Sequence, residues 1–152
     1  MTANVSATAE ETRRFGASLA QRLAPGDVVL LEGELGAGKT EFVKGIAAGL
    51  GLDPEDVSSP SFALVHEYGP AGSPPVLVHA DLYRVFAGAS IADLGLDGKE
   101  NTILAVEWPR PPLTERRAWR VSIGIGEGDA RRIDVSPPAD PGPADPGPAD
   151  PV

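Results

Sequence analysis

Apolar residues recur along the chain at two spacings, and each spacing predicts a different kind of element. Helical spacing predicts an amphipathic helix that starts at the Thr8–Glu11 capping box and ends before Pro25-Gly26. It predicts a second helix over 42–50, followed by Gly51, a residue type that often ends helices. Residues 90–94 have the pattern of a short third helix. Between these helices the apolar residues follow strand patterns.

Six segments have the apolar patterns of β-strands. Four are short apolar runs of the kind buried in sheets, and two alternate between apolar and polar residues. The runs are Asp27–Glu32, Phe62–Tyr68, Val76–Ala80 and Ile103–Trp108, and the alternating segments are Arg120–Ile125 and Arg131–Val135. A Gly-Glu-Gly-Asp turn joins the last two into a predicted hairpin. The link between Tyr68 and Val76 is too short for a parallel crossover, so the strands that it joins are predicted to be antiparallel.

A glycine-rich loop follows the first core strand and leads into the second helix. Its sequence, Gly-Glu-Leu-Gly-Ala-Gly-Lys-Thr, fills the P-loop pattern GxxxxGK[ST]. Glycines let the backbone turn its N–H groups toward one anion, and the helix start adds partial positive charge. Lys39 is expected to reach the β- and γ-phosphates of a nucleotide, and the Thr40 hydroxyl to ligate Mg²⁺. The predicted nucleotide contacts in this loop are Gly33, Glu34, Leu35, Gly36, Ala37, Gly38, Lys39, Thr40 and Glu41.

Strands, helices and the P-loop together predict the fold class and the domain organisation. The predicted class is α/β, a P-loop NTPase-like three-layer fold with a mixed, mostly parallel sheet and helices on both faces. One domain is predicted over residues 1–135. From 136 to 152 the chain repeats Pro, Ala, Asp and Gly, with no large apolar residue between Val135 and Val152. Such a segment buries too little surface to offset its ordering entropy, so we predict a disordered acidic tail.

Composition and charge narrow the classes of function. The 152 residues carry a formal net charge of −9, which argues against broad binding to nucleic acids or anionic membranes. There is no cysteine, and therefore no disulfide and no zinc–thiolate site. The apolar runs are shorter than a membrane span, and the first residues lack the basic and apolar regions of a signal peptide. We expect a cytoplasmic protein that does not associate with membranes.

Two carboxylates, Asp81 and Glu107, directly follow or end apolar strands. The carboxyl ends of parallel strands open on the same sheet edge as the P-loop, and a hydrolysing P-loop needs carboxylates near Mg²⁺ and water. Glu107 is therefore predicted to share the metal with Thr40. Asp81 belongs to the predicted hairpin, which fixes its position less firmly. In the alternative, each carboxylate only caps its strand or pairs with Arg84 or Arg110.

Three further features have two interpretations each. His79 would face the same side of its strand as Asp81, either as a functional residue or as a buried histidine bonded to a backbone carbonyl. Trp108 either packs in the core or stacks on a nucleotide base. The basic group near the end of the domain is either a solvated face or a binding patch, and its members are Arg110, Arg116, Arg117 and Arg120.

Four motifs, in this order, resemble those of the TsaE family, formerly called YjeE, whose members are bacterial P-loop ATPases. They are the P-loop, Ser59-Pro60-Ser61-Phe62-x-Leu64-Val65, His79-x-Asp81-Leu82-Tyr83-Arg84 and Val106-Glu107-Trp108-Pro109. The resemblance runs from about Ala7 to Val135. The Ser-Pro-Ser loop is similar to a nucleotide-responsive switch of the family, and it carries Ser61 where the family usually has threonine. The acidic run that often follows the Tyr-Arg pair is thin here, over 88–90.

The resemblance implies a function, partners and residue roles. The function is a part in the threonylcarbamoyl modification of adenosine 37 in tRNA, with ATP/ADP and Mg²⁺ as cofactors. The implied partners are TsaD, which transfers the threonylcarbamoyl group, and TsaB, with tRNA reached only through their complex. The resemblance implies catalytic roles for Lys39, Asp81 and Glu107, metal contacts for Thr40 and Glu107, and a place near the nucleotide for Trp108.

Two other functions use the same loop. A small-molecule P-loop kinase generally needs a second pocket and an arginine-bearing lid, but the segment between Thr40 and Arg84 holds no arginine. A nucleotide-gated binding module without turnover needs the same phosphate site as a slow ATPase, so the sequence separates these two poorly.

Overall fold

The strand that precedes the P-loop lies at the centre of a seven-stranded sheet. We describe the protein from a computed structural model, which covers residues 2–34, 36–60, 65–82, 101–108 and 118–138. The elements in chain order are β1 (Thr2–Ser6), α1 (Ala9–Ala20), β2 (Val28–Gly33), α2 (Lys39–Gly49), a 3₁₀ turn (Pro54–Asp56), β3 (Val65–Tyr68), β4 (Leu77–Asp81), β5 (Ile103–Glu107), β6 (Ala118–Ile125) and β7 (Arg131–Ser136).

The strand order is β1-β7-β6-β2-β5-β4-β3, and the sheet is mixed. The four strands β6, β2, β5 and β4 form the parallel part, in three pairings. The outer pairings, β1 with β7, β7 with β6, and β3 with β4, are antiparallel. This confirms the predicted α/β class with its mixed sheet, the β6–β7 hairpin and the antiparallel β3–β4 pair. The sheet has one more antiparallel pairing than the sequence predicted, because β1, which pairs with β7, was not predicted.

Strand β1 has almost no apolar signal. Its residues are Thr-Ala-Asn-Val-Ser, and the valine, Val5, is 70% exposed. The strand forms at the edge of the sheet by pairing with β7, from Thr2 opposite Val135 to Ser6 opposite Arg131. Backbone pairing with a distant strand leaves no local pattern that a sequence analysis can detect.

The two faces of the sheet bury different sets of side chains, because side chains alternate along each strand. Val29 and Leu31 of β2 face a cluster that includes Phe42 and Ile46 of α2 and Leu19 of α1. The other residues of β2 join strand residues of β4 and β5 on the opposite face, in a cluster made of Val28, Leu30, Val78, Ala80, Leu82, Leu104 and Val106. Both α-helices in the described part of the chain therefore cover one face.

Several predicted features lie outside the described residues. They are the short helix over 90–94, most of the tail from 139 onward, the start of the Phe62–Tyr68 strand and the arginines at 110, 116 and 117. Strand β7 ends at Ser136, and the tail boundary remains a prediction. Among the described helices, none is both long and apolar enough to cross a membrane.

Helices α1 and α2 pack against each other through glycines. A Cβ atom added at Gly45 would overlap the backbone carbonyl of Arg13, and one added at Gly16 would overlap the carbonyl of Phe42. In this close packing the two backbones are in contact where side chains would otherwise separate them. The position of α1 along α2 is therefore fixed by residues that have no side chain.

Replacing Gly45 with alanine should destabilise the fold by about 1–3 kcal/mol, because the overlap is with backbone that can move only with its helix. Thermal or urea unfolding measures the loss. The matched control is Gly124→Ala on β6, where the nearest atom to a new Cβ is 4.0 Å away; its effect should stay within about 0.5 kcal/mol. Equal effects of the two substitutions would contradict the glycine contact.

Candidate functional site

The P-loop backbone adopts a conformation that requires its glycines. Gly36 and Gly38 have φ of 82° and 110°, in the left-handed region that favours glycine. At Gly33, an added Cβ would lie 2.6 Å from the carbonyl oxygen of Ile123 on β6. Gly38 is also the N-cap of α2, and as a glycine it provides no side-chain hydrogen bond to the first N–H groups of this helix. The loop has the features of an anion site.

Lys39 places its charge inside this loop. The residue is 4% exposed, and its Nζ donates to the carbonyls of Gly33 at 2.7 Å and Glu34 at 2.9 Å. Burial lowers the pKa of Lys39, and the nearby carboxylates of Glu107 and Asp81 partly oppose that shift. The structure therefore holds an ordered, desolvated amine beside the helix start.

Thr40 and Glu107 meet beside the loop. The Thr40 hydroxyl donates to Glu107 Oε2 at 3.2 Å. Glu107 is the last residue of β5, opposite Leu31 of β2, so the parallel pairing brings it to the same sheet edge as the P-loop. The structure brings together the two residues that the sequence assigned to the metal.

Asp81 lies at the same edge as Glu107. Strand β4 runs parallel to β5, and Asp81 is the register partner of Glu107. Asp81 Oδ2 also accepts a hydrogen bond of 3.4 Å from the Ser59 hydroxyl. Strand β4 therefore belongs both to the predicted hairpin and to the parallel part of the sheet. Through its hydrogen bond with Asp81, Ser59 lies close to the sheet edge where Asp81 and Glu107 meet.

His79 makes a contact that neither of its two interpretations described. The residue is fully buried in β4, and its Nε2 lies 2.5 Å from Glu107 Oε2. Its partner is therefore a carboxylate of the site and not a backbone carbonyl.

Trp108 follows Glu107 in an unusual backbone conformation. Its φ of 57° is the only positive value for a non-glycine residue in the described part of the chain. The Trp108 N–H donates to the Leu31 carbonyl at 3.1 Å, and the indole ring centroid lies 4.1 Å from Lys39 Nζ. Cation–π contact of this kind places the indole at the lysine end of the loop. Such strained backbone persists where the surrounding structure holds it, frequently at functional sites.

Arg131 of β7 supports the P-loop from its other side. Its Nε donates to the Ala37 carbonyl at 3.0 Å, and its Nη2 to the Gly36 carbonyl at 3.5 Å. The sequence analysis missed this residue, because only the folded hairpin brings β7 to the loop. A cavity of about 490 Å³ lies here, lined by α1, the loop and the β6–β7 turn; its residues include Thr8, Thr12, Arg13, Gly38, Asp129 and Arg131.

The remaining predicted loop residues have mixed positions. Glu34 is exposed, and its contribution to the loop is its carbonyl contact with Lys39. Glu41 points to α1, where its carboxylate accepts from Arg13 Nε at 2.7 Å. This hydrogen bond is the main cause that raises the pKa of Arg13. Leu35 lies outside the described residues.

The chain matches one known protein family over most of its length. A family model described as "Threonylcarbamoyl adenosine biosynthesis protein TsaE" matches residues 6–133, which is most of the chain. The chain belongs to the TsaE family. This confirms the resemblance that the four sequence motifs indicated.

Relatives from several bacteria match most of this chain. A protein of Streptomyces coelicolor is 38% identical over 115 residues, covering 74% of this chain and 77% of its own. One of Nostoc is 36% identical over 144 residues, covering 90% and 86%. Both are named tRNA threonylcarbamoyladenosine biosynthesis protein TsaE. The crystal structure of YdiB from Bacillus subtilis superimposes with a TM-score of 0.69 at 29% identity, covering 91% of this chain and 86% of YdiB.

Proposed function

We propose that this TsaE-family protein acts in tRNA N6-threonylcarbamoyladenosine biosynthesis as an ATPase. It binds ATP with Mg²⁺ and hydrolyses it to ADP and phosphate, slowly alone and faster with the TsaD–TsaB complex, through which it reaches tRNA. The single observation that carries the proposal is the Thr40–Glu107 hydrogen bond beside the lysine of a P-loop. It joins a phosphate site to a carboxylate at the sheet edge where P-loop ATPases hold their metal and water.

The phosphate end of the proposed site is formed by backbone and Lys39. The glycines at 36 and 38 orient the loop, and α2 begins at Lys39 with its first N–H groups directed to the loop. A phosphate is a stronger acceptor for an amine than the two carbonyls that Lys39 contacts. We therefore assign Lys39 to the β- and γ-phosphates.

The residues at the sheet edge fit Mg²⁺. The Thr40 hydroxyl and the Glu107 carboxylate are oxygen donors, which Mg²⁺ prefers, and it usually takes one or two carboxylates together with phosphate oxygens and waters. Within the described residues there is no group of three or more His, Asp or Glu side chains in metal-binding geometry. The proposed ion would accordingly complete its ligands from nucleotide and water. Bound there, Mg²⁺ would neutralise charge that develops on the phosphates.

The hydrolytic step needs a positioned water. Asp81 and Glu107 are register partners and face the same edge, so their carboxylates orient water toward the γ-phosphorus. As water adds, the bond from that phosphorus to the bridging oxygen breaks, giving ADP and inorganic phosphate. The Trp108 ring lies over the Lys39 amine and would help to keep bulk solvent away from the γ-phosphate.

The nucleoside end has its place on the opposite side of the loop. The cavity of about 490 Å³ adjoins Gly36 to Gly38, and its lining includes Arg131 of β7, which lies on the other side of β2 from β5 and Glu107. Its volume is in the range of small-molecule sites. Thr8, Thr12 and Arg13 are among its lining residues; the threonine hydroxyls can make polar contacts with ribose or base, while the Arg13 guanidinium is paired with Glu41.

Nucleotide binding should change the fluorescence of Trp108 much more than that of Trp119. The first indole contacts Lys39, whereas Trp119 is buried on β6 with Arg22 stacked 4.7 Å from its ring centroid. Variants that retain one tryptophan, with the other changed to phenylalanine, separate the two signals during an ATP titration. A response carried by Trp119 would remove Trp108 from the site.

The ATPase proposal is tested by phosphate release with and without the TsaD–TsaB complex. We expect at least about a tenfold increase with the complex, which is about 1.4 kcal/mol of barrier. The reason is that the described arginines near the loop are engaged elsewhere: Arg131 with loop carbonyls and Arg13 with Glu41. A partner arginine is worth about 10³–10⁵ in other P-loop enzymes.

The same assay distinguishes the alternatives. Turnover of several per second by the isolated protein, unchanged by the complex, would indicate a self-sufficient NTPase or kinase. Tight ATP binding with no turnover in any mixture would indicate a nucleotide-gated binding module. Either result would contradict the proposal of a partner-stimulated ATPase.

A further inference from the structure

His79 is a buried polar side chain whose hydrogen bonding is directed at one atom. It is fully buried in β4, and its Nε2 lies 2.5 Å from Glu107 Oε2. The other ring nitrogen, Nδ1, is buried and has no hydrogen-bond partner among the described residues. Buried histidines that serve only the fold usually satisfy their polar atoms with backbone or solvent. Here the ring's polar contact is made with Glu107.

The contact is cross-strand and follows from register. Asp81 is opposite Glu107, and His79 is opposite Ala105, so His79 is a diagonal neighbour of Glu107 on adjacent parallel strands. Side chains two residues apart on a strand face the same side of the sheet, which puts the imidazole within reach of Glu107. Both strands are buried along their full length, so neither side chain has room to turn away.

The two hydrogen bonds that described residues make with the Glu107 side chain converge on one of its oxygens. Oε2 receives Thr40 Oγ1 at 3.2 Å and His79 Nε2 at 2.5 Å. Two donors from different elements, one on α2 and one on β4, fix the plane of the carboxyl group. The second oxygen, Oε1, receives no hydrogen bond from the described residues and is left for metal or water.

We propose that His79 is a positioning residue, which holds the Glu107 carboxylate in the orientation that binds Mg²⁺ and directs water. The inference rests on the proposed ATPase function and adds to it a residue that touches neither nucleotide nor metal. Outer-sphere partners of this kind hold metal-ligating groups in place, and their loss typically costs about 10- to 100-fold in metal affinity or activity. When Thr40 turns to the metal, His79 remains as the donor that fixes Oε2.

The test compares His79→Gln with His79→Met and His79→Asn. Glutamine places an amide nitrogen at the same distance along the side chain as Nε2 and can donate to Glu107. Methionine has similar length and no donor, while asparagine has the same amide as glutamine but is too short to reach. The chain has two histidines, and the control is His66→Gln on β3, whose ring lies against Tyr68.

Two measurements are made on each folded variant. The first is TsaD–TsaB-stimulated phosphate release as kcat and KM, and the second is calorimetric titration of Mg²⁺ into the protein with ATP present. We expect methionine and asparagine to lower kcat and Mg²⁺ affinity by about 10- to 100-fold with KM for ATP little changed. Glutamine should restore both to within about threefold of the unaltered protein, and His66→Gln should change neither.

Each outcome supports or contradicts the positioning role of His79. If glutamine is as impaired as methionine and asparagine, or if methionine keeps full kcat and Mg²⁺ affinity, His79 does not act through its donor. Thermal unfolding of all variants identifies any variant that does not fold. Methionine, which has no donor, and asparagine, whose donor is too short to reach Glu107, each provide the comparison with glutamine if the other fails to fold. If the unaltered protein shows no turnover, the ATPase proposal fails, while the Mg²⁺ titration still accepts or rejects the positioning role.

Discussion

Replacing Lys39 with methionine is expected to weaken ATP binding by about 30-fold or more without unfolding the protein. Truncating one partner of a buried charged hydrogen bond costs about 2–5 kcal/mol, and about 1.4 kcal/mol corresponds to tenfold in affinity. Methionine keeps a side chain of similar length and removes the amine, which lies over the Trp108 ring. The substitution removes the two hydrogen bonds to the loop carbonyls, but it also removes a desolvated charge whose pKa burial lowers, so we expect the protein still to fold.

The matched control is Lys44→Met in the same helix. Lys44 carries the same charge, but its Nζ pairs with Glu41 Oε2 at 3.7 Å, whereas Lys39 Nζ donates to the loop carbonyls. Calorimetry of ATP binding should show an affinity within about threefold of the unaltered protein, since partly exposed ion pairs contribute little. Equal losses for the two variants, or no loss for Lys39→Met, would show that ATP does not use the P-loop lysine.

Replacing Glu107 with glutamine should lower the partner-stimulated turnover of ATP by about 10²–10⁴ while ATP affinity stays within about tenfold. Both donors to this side chain, Thr40 and His79, reach the same oxygen. The amide oxygen of glutamine can therefore take that position and keep both hydrogen bonds. What is lost is the negative charge that serves metal and water, so turnover falls with little structural change.

Glu32→Gln provides the comparison for Glu107→Gln. Glu32 is an exposed residue of β2, and its substitution removes the same charge from a neighbouring strand. Phosphate release in the presence of the TsaD–TsaB complex should be unchanged for this variant. If Glu107→Gln retains full stimulated turnover, the assignment of Glu107 to the hydrolytic site is wrong.

The P-loop end of the site could be predicted because its signals are local. Strand, glycine loop and helix are consecutive in the chain, and Gly33 to Thr40 carries its pattern in eight adjacent positions. Glu107 could be predicted from one topological rule, that parallel strands end at the same edge. For Asp81 this rule was harder to apply. The sequence predicted that β4 pairs antiparallel with β3, but it did not show that β4 also pairs parallel with β5.

The features that sequence analysis missed depend on contacts between distant segments. Arg131 reaches the loop only after β7 has paired with β6, and an arginine in an alternating strand has no local signal for that role. Strand β1 has one exposed valine and forms by backbone pairing alone. The close approach of α1 and α2 at Gly16 and Gly45 is likewise visible only in the folded structure. In a sequence, glycine within a helix usually indicates low helix propensity and not close helix packing.

The position of Lys39 has a consequence for the entropy of binding. A free lysine side chain loses about 1.5–2 kcal/mol of rotamer freedom when it is immobilised. Here the carbonyls of Gly33 and Glu34 and the ring of Trp108 already hold the amine, so that loss occurs when the protein folds. A phosphate that binds there does not have to order the lysine side chain, so less of the binding free energy is lost to side-chain entropy and the affinity is higher.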